Sequence, residues 1–425
     1  MHGSALRRAR QHARNRVTTT YLAQYLFTGL LPLALFGYLL GRRKIRSQQD
    51  PNARYKASEN LFGWFAVSKM LMPAVLISFI GSVLDLFDLV EVPWPMLAAA
   101  ALLLGAGGIW LALNAIRPSL RVRTALEKTI TRILLVASLI SILTTIGIVM
   151  SIVFEAVHFF RIVNFWDFLT GTTWNPDAAT IDDAGNIQPL FGSVPLFAGT
   201  FMITAIAMCV AIPVGLLSAI CMSEYASLTV RRVAKPALEI LAGIPTVVYG
   251  FFAAITVSPL IVSLADKVGI SADYTNALSP GLVMGIMIIP LVSSLSDDVI
   301  SSVPQSLREG SLALGAYPSE TIKRVVLPAA LPGIVSACLL AVSRAVGETM
   351  IVVMAAGLQP NLSWNPLVGM TTVNVRIVDA LTGDQAFDSP ETLSAFGLGL
   401  VLLVLTLCLN IVSLTVIRKF RQRYE

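Results

Sequence analysis

Long uninterrupted apolar segments recur along the whole chain, and they limit its fold more than any other feature. A helix needs about 20 apolar residues to cross the hydrocarbon core of a bilayer, and nine segments reach about that length. They lie near residues 20–41, 62–84, 94–116, 133–155, 196–222, 236–262, 280–300, 331–356 and 395–417. The segments are continuous rather than alternating, which is atypical of a membrane β-barrel. We therefore predict an all-α polytopic membrane protein.

The composition argues against a large soluble domain. Only 13% of the 425 residues are charged and 55% are hydrophobic, with a mean hydropathy of +0.75. Soluble domains are about 25% charged, because polar residues must cover a water-facing surface. The net charge of +6 does not require nucleic acid, since membrane proteins concentrate Lys and Arg in cytoplasmic loops. We expect contact with membrane lipid and no nucleic-acid partner.

Charged loops orient the last six apolar segments. Basic residues are concentrated in TALEKTITR (124–132), VRRVAK (230–235), the loop 301–330 and the tail RKFRQR (418–423). These regions share one side of the membrane if all six segments cross it, and the positive-inside rule makes that side the cytoplasm. We predict a six-helix transmembrane unit over residues 121–425.

Residues 1–120 are predicted to form an N-terminal membrane extension of two or three helices, without an assigned function. An arginine-rich N-terminus precedes the first apolar segment, near residues 20–41. If that segment crosses the bilayer, these arginines lie outside, against the positive-inside rule. The first segment therefore either crosses the membrane or lies along its surface, and the total is eight or nine spans.

The segment SVPQSLREGSLALGAYPSETIKRVVLP (302–328) predicts two short helices on the cytoplasmic side. Ser302 and Pro304 are suited to begin the first helix, and Gly315 can end it in a left-handed conformation. Pro318 can begin the second helix. Pro328 is expected to stop that helix before the next span, because proline disrupts helix interiors. A solvated connecting loop fits this pattern equally well.

The stretch VSRAVGETM (342–350) places Arg344 and Glu348 inside an apolar segment. Residues four apart share a helical face and can pair. Each charge at the membrane centre costs about 2.5–3.5 kcal/mol on insertion scales, so these groups are expected to face protein or a watery path. Two interpretations remain open. The pair fixes helix packing, or Arg344 binds a translocated anion while Glu348 compensates its charge when the anion is absent.

The 302–328 segment resembles the EAA loop of binding-protein-dependent ABC importer permeases. The family pattern is E-A-A, three residues, G, nine residues and I-x-L-P. Here Glu309, Gly310, Ser311, Gly315 and Pro328 stand at the matching positions, with Gly310 and Ser311 in place of the two alanines. The resemblance implies that these residues couple the membrane helices to a cytoplasmic ATPase.

Further stretches resemble phosphate importer permeases of the Pst type, more the C subunit than the A subunit. They are GTFMITAIAMCVAIPVGLLSAICMSEYA (199–226), GIPTVVYGF (243–251) and SRAVGETM (343–350). The resemblance covers about residues 125–425 and implies a type I ABC importer permease in the bacterial inner membrane. It implies four kinds of partner: a second Pst-type permease subunit, two cytoplasmic ATP-binding subunits, a periplasmic phosphate-binding protein, and phosphate as substrate. Arg344 and Glu348 would then belong to the substrate pathway.

The resemblance also implies where the binding protein docks. The predicted outer loops 157–195 and 357–394 would receive it. Trp166, Trp174 and Trp364 lie in these loops, and each is alternatively an anchor at the membrane interface.

Motifs for catalysis are not found in the sequence. No glycine directly precedes a lysine, so a P-loop G-x-x-x-x-G-K-[ST] cannot be placed. The histidines His2, His12 and His158 form no zinc-binding pattern. We expect a permease rather than an enzyme, without catalytic residues, cofactor or metal. A permease for another oxyanion or small solute, or a transporter that also senses phosphate supply, remains an alternative.

Overall fold

The computed structural model describes residues 28–48, 58–86, 93–117, 120–181, 187–383 and 389–421. These residues are helical apart from connecting loops and one short antiparallel hairpin, which confirms the all-α prediction. Eight helices in the described part of the chain are long and apolar enough to cross a membrane. Six of them begin after residue 121, in agreement with the predicted six-helix unit.

The chain divides into two compact units, Met1–Thr145 and Ile146–Glu425. Three helices and the start of a fourth belong to the described part of the first unit. They are α1 (28–48), α2 (Glu59–Leu86), α3 (Trp94–Ala115) and α4 (Val122–Ile162). The helices α2 and α3 contain two of the eight candidate spans. The boundary at residue 120 stays a prediction.

Glycines allow the backbones of the first unit to approach closely. A Cβ on Gly108 of α3 would lie 2.2 Å from the Lys69 carbonyl oxygen of α2. Small residues at such contacts are typical of helix pairs in membranes.

Part of the first predicted apolar segment, residues 20–27, lies outside the described residues. The described helix α1 continues through the basic stretch GRRKIR.

The second unit contains the following elements after α4. They are α5 (Phe165–Thr170), β1 (Trp174–Ile181), β2 (Ile187–Phe191), α6 (Val194–Ile220), α7 (Leu228–Ala242), α8 (Thr246–Phe252), α9 (Ser258–Val268), α10 (Leu278–Ser301), α11 (Gln305–Ala313), α12 (Pro318–Thr321), α13 (Leu327–Val346), α14 (Met350–Ala355), α15 (Val373–Thr382) and α16 (Pro390–Arg421). Five-residue π-helical turns follow α6, α8 and α12, at Cys221–Tyr225, Ala253–Val257 and Ile322–Val326.

Helix α10 lies at the centre of this unit and is its most buried candidate span. It runs parallel to α6, since Gly281 packs against Ile206 and Gly285 against Val210. A Cβ on Gly285 would come within 2.9 Å of the Ala207 carbonyl oxygen, so this packing requires glycine. The buried residues of the two helices form one core with α8 and α14.

Two predicted apolar segments are interrupted. The segment 236–262 breaks at Gly243–Pro245, between α7 and α8. Pro245 disfavours the helical conformation at the residue before it, so the chain must restart a helix at Thr246. The segment 331–356 breaks after Val346, and α14 begins at Met350.

An aromatic cluster joins the hairpin to α4 and α5. Trp174 of β1 packs with Phe159, Phe168 and Phe191 in mutually edge-on geometry. Trp174 is buried, so the alternative that it anchors the protein at the membrane interface is wrong. Its ring serves the packing of the hairpin instead.

Candidate functional site

Residues 302–328, termed here the coupling loop, form a compact unit held to the ends of neighbouring helices. Arg308 of α11 donates to the carbonyl oxygens of Ile300 at 2.8 Å and Val303 at 2.5 Å. The same guanidinium pairs with Glu224, in the π-helical turn after α6, at 2.9 Å. The loop is therefore attached both to the end of α10 and to the end of α6.

Local hydrogen bonds join the two short helices of the coupling loop. The hydroxyls of Ser311 and Thr321 lie 2.9 Å apart. Gly315 ends α11 with a φ of +86°, which confirms the predicted left-handed conformation. The Tyr317 amide donates to the Glu320 carboxylate at 3.2 Å, at the start of α12. These contacts fix the angle between α11 and α12.

Two details of the predicted loop are wrong. Ser302 does not cap α11; its hydroxyl donates to the Val299 carbonyl of α10, and α11 begins after Pro304. Pro328 does not stop the second helix, because the chain continues from α12 through a π-helical turn into α13. The Leu327 amide bonds five residues back to Ile322, so the helix changes register just before the residue that lacks an N–H.

The outer face of the coupling loop carries apolar side chains that are not covered. Leu314 is 90% exposed, and Tyr317, Leu307 and Leu312 are also exposed. Glu309 and Gly310 lie on the surface of α11, and a Cβ on Gly310 would meet no atom within 4 Å. Exposed apolar patches of this kind are typical of surfaces that contact another protein or a membrane.

Arg344 and Glu348 do not form the predicted pair. Among the described residues no ion pair joins them, because α13 ends at Val346 and Glu348 lies in the break that follows. The Glu348 carboxylate instead accepts a hydrogen bond from the Met350 amide at 3.2 Å. The Arg344 side chain is exposed and lines a cavity.

This cavity, termed here the α7–α10 cavity, lies between α7, α10 and α13 and has a volume of about 210 Å³. Apolar residues form much of its wall. Its polar lining consists of Lys235, Glu239, Ser294, Asp297 and Arg344. Two cationic and two anionic groups thus meet in one space beside the most buried span.

Among the charged groups that line the cavity, Asp297 is the one whose side chain is fully buried. Its side chain is 1% exposed, and Arg231 Nη2 lies 3.0 Å from both of its carboxylate oxygens. Lys235 Nζ lies 3.2 Å from Asp297 and 3.3 Å from Asp298. The hydrogen bond to Asp297 raises the pKa of Lys235 above its usual value, against the opposing effect of burial. Lys235 therefore stays cationic at neutral pH.

Comparison with known proteins places the chain among transport permeases. Residues 211–425 match the family described as "Binding-protein-dependent transport system inner membrane component". The probable ABC transporter permease protein YqgH of Bacillus subtilis is 35% identical over 240 residues, which cover 56% of this chain and 74% of that protein. The phosphate transport system permease protein PstC 1 of Mycobacterium tuberculosis is 32% identical over 309 residues, covering 67% of this chain and 90% of that protein. The chain belongs to this family of inner membrane components.

The residues that match the family include every element that forms the coupling loop and the α7–α10 cavity. Helices α7, α10 and α13 and the coupling loop all lie within residues 211–425. Charged side chains cluster on these elements, whereas the spans around them are apolar. Arg308 connects the loop with the exposed apolar face to the ends of α6 and α10, and α10 also lines the charged cavity.

Sequence reasoning about this permease missed the residues that pair across the fold. The local sequence VRRVAK predicts only the side of the membrane on which it lies, yet it supplies Arg231 and Lys235 to Asp297. An available signal was the acidic pair Asp297 and Asp298 at the end of an apolar segment, since such groups are normally paired or functional. Glu224 and Arg308 gave no local signal because they lie 84 residues apart.

A second exposed site lies at the loop between α14 and α15. The Asp273 amide donates to the Leu367 carbonyl at 2.8 Å, and the Asp273 carboxylate accepts from the Gly369 amide at 3.0 Å. The loop is thus held in place while Trp364 within it is 94% exposed. An ordered loop with a protruding tryptophan is suited to binding another protein.

Proposed function

We propose that this chain is the C-type permease subunit of an ATP-driven phosphate importer, in which it forms half of the translocation pathway. The observation that carries the proposal is the similarity over 309 residues to a protein named as a phosphate transport system permease. The alignment covers 90% of that relative, so it extends over nearly the whole transport unit and not a shared fragment.

Arg344 is proposed to bind phosphate in the pathway. Its guanidinium lines the α7–α10 cavity and has no hydrogen-bond or ion-pair partner among the described residues. A free guanidinium presents a planar fork of donors that matches two phosphate oxygens. Glu348, bonded to the Met350 amide, leaves the fork available and is proposed to compensate Arg344 in another conformation of the transport cycle.

The coupling loop is proposed to dock on an ATP-binding subunit on the cytoplasmic side. Glu309, Gly310, Ser311, Gly315 and Pro328 stand at the positions of the EAA pattern. The exposed apolar face around them, with Leu314 at its edge, would be covered by the ATPase. Arg308 would then transmit movement of the loop to α6 and α10.

Two further partners follow from this function. A second Pst-type permease subunit would complete the pathway, because six spans provide half of it. A periplasmic phosphate-binding protein would dock on the loop that presents Trp364. Its exposed indole supplies a large contact area at low entropic cost, as aromatic anchors do in protein interfaces.

The test is ATP-dependent uptake of labelled phosphate by proteoliposomes. The vesicles contain the chain, a second permease subunit and two ATPase subunits, with ATP inside and binding protein outside. Arsenate should compete with phosphate, whereas sulfate and molybdate should not. Uptake of another oxyanion, or of a neutral solute, in the absence of phosphate uptake would overturn the assignment of the substrate.

A further inference from the structure

Two cationic side chains line the α7–α10 cavity at different depths. Helices α10 and α13 are antiparallel, because Ile334 shares a core cluster with Ile300 and Ala345 shares another with Ile288. Gly333 packs against Val299, where a Cβ would come within 2.3 Å. Arg344 lies eleven residues after Gly333 on α13, about 16 Å further along the helix at 1.5 Å per residue. Arg344 therefore lies beside the middle of α10.

Lys235 lies at the other end of the same cavity. It bonds Asp297, which is four residues from the end of α10 at Ser301. Asp297 lies nine residues after Ile288 on α10, about 14 Å further along the helix axis. Arg344 lines this cavity together with Ser294 and Asp297, and Cα–Cβ bonds on a helix tilt toward its N-terminus, which for α13 is the Lys235 end. The two cations follow one another along the predicted direction of import.

Asp297 does not need Lys235 to remain compensated. A buried carboxylate is costly without a partner, but Arg231 already contacts both of its oxygens at 3.0 Å. Lys235 contacts only one oxygen of Asp297, so its ammonium can rotate away while Arg231 keeps both oxygens bonded. Its side chain is 34% exposed, so movement does not require a core rearrangement.

We propose that Lys235 is a second oxyanion-binding residue, which receives phosphate from Arg344 at the cytoplasmic end of the α7–α10 cavity before release. The inference rests on the proposed phosphate transport. The cavity, about 210 Å³, is many times larger than the roughly 10–15 Å³ that one water needs, so a tetrahedral oxyanion fits. Ser294 supplies a hydroxyl donor on the wall between the two cations.

The neighbouring carboxylates make this second site a weak one. An anion at Lys235 is close to Asp297, Asp298 and Glu239. Their repulsion lowers the affinity for phosphate, which suits an exit site because conduction requires binding weak enough for release. Lys235 returns to its carboxylates once the anion has left.

The test uses the assembled transporter in proteoliposomes, with phosphate added inside as a competitor for the exit site. Lys235→Gln should lower the maximal uptake rate at least tenfold while the external phosphate concentration at half-maximal rate changes less than twofold. Inhibition by internal phosphate should weaken. Lys235→Arg should retain most of the rate, and Lys267→Gln, at an exposed lysine of α9, should behave as wild type.

A second variant separates binding from structural support. Asp298 is 64% exposed and bonds Lys235 at 3.3 Å, so Asp298→Asn removes one repelling charge without disturbing the core. Internal phosphate should then inhibit at several-fold lower concentration, an effect that structural damage would not produce. Unchanged or weaker inhibition in Asp298→Asn, or wild-type uptake in Lys235→Gln, would overturn the inference. Absence of phosphate uptake by the wild-type transporter would instead refute the proposed function itself.

Discussion

Arg308 and Glu224 form an ion pair with an N–O distance of 2.9 Å, and their side chains are only 14% and 13% exposed. Arg308 belongs to the coupling loop and Glu224 to the π-helical turn at the end of α6. Single π-helical turns of this kind are frequent at functional sites. The pair therefore joins the surface proposed for ATPase docking to an irregular turn at the end of a span.

Breaking this pair should uncouple ATP hydrolysis from transport. Arg308→Ala removes a shielded partner, and breaking a largely buried pair is strongly destabilising, by about 3–5 kcal/mol. We expect uptake to fall more than tenfold in a reconstituted transporter while basal ATP hydrolysis persists. The measurement is the ratio of phosphate transported to ATP hydrolysed.

The exchanged pair Glu224→Arg with Arg308→Glu provides the control for this prediction. If the charge contact itself carries the coupling, the double variant should recover part of the ratio that either single variant loses. If Glu224→Arg alone keeps the ratio while every variant that lacks Arg308 loses it, the defect belongs to the backbone contacts of Arg308 with Ile300 and Val303.

Two glycines of the coupling loop should respond oppositely to alanine. Gly315 has a φ of +86°, so Gly315→Ala should cost about 1–2 kcal/mol from the left-handed backbone alone. Gly310 lies inside α11 with open space around its Cα, so Gly310→Ala should gain about 0.5–1 kcal/mol in helix stability. Thermal unfolding of the purified permease measures both shifts. A lower unfolding temperature for Gly310→Ala would contradict its helical position.

Hydropathy and spacing predicted the parts of this fold that depend on local sequence. Eight of the nine apolar segments correspond to candidate spans in the described structure. Gly315 was predicted correctly because a left-handed helix end selects glycine whatever surrounds it. A segment of about 20 apolar residues can cross the bilayer whether it faces lipid or protein, so its composition alone identifies it as a candidate span.

The charged contacts could not be predicted because they depend on distant partners. Asp297 lies 66 residues from Arg231 and 62 from Lys235, and no local pattern connects them. The helical spacing of Arg344 and Glu348 was misleading, since it assumed an unbroken helix. Gly347 instead ends α13 and separates the two side chains.

Leu314 should contribute directly to ATPase binding. It is 90% exposed on the coupling loop, and a charge there would be buried against the partner without compensation. Leu314→Asp should therefore weaken association with the ATP-binding subunits at least tenfold, measured by pull-down with purified ATPase. Leu362→Asp, at an exposed leucine in the loop that carries Trp364, should leave this association unchanged. Equal binding by both variants would place the ATPase elsewhere.

Trp364 should contribute to docking of the binding protein. Its side chain is 94% exposed in a loop held by Asp273. Trp364→Ala should reduce the stimulation of ATP hydrolysis by the binding protein, because truncating an aromatic anchor costs about 2 kcal/mol or more, over tenfold in affinity. Trp110→Ala changes an exposed tryptophan of α3, outside both predicted outer loops, and serves as the control. Full stimulation of the Trp364 variant would exclude this loop as the anchor.

Arg344 provides the sharpest test of the anion pathway. Arg344→Ala should abolish phosphate uptake while the transporter still assembles, because the side chain is exposed in the cavity and bonds no other residue in the described part of the chain. Arg344→Lys should retain only a small part of the rate, since an ammonium lacks the planar fork that engages two phosphate oxygens.

Glu348→Gln keeps an oxygen that can accept from the Met350 amide, so assembly should be normal. If Glu348 compensates Arg344 between anions, this variant should bind phosphate more tightly and release it more slowly, seen as a lower maximal rate. Unchanged uptake in Arg344→Ala would mean that the translocated anion does not pass this guanidinium.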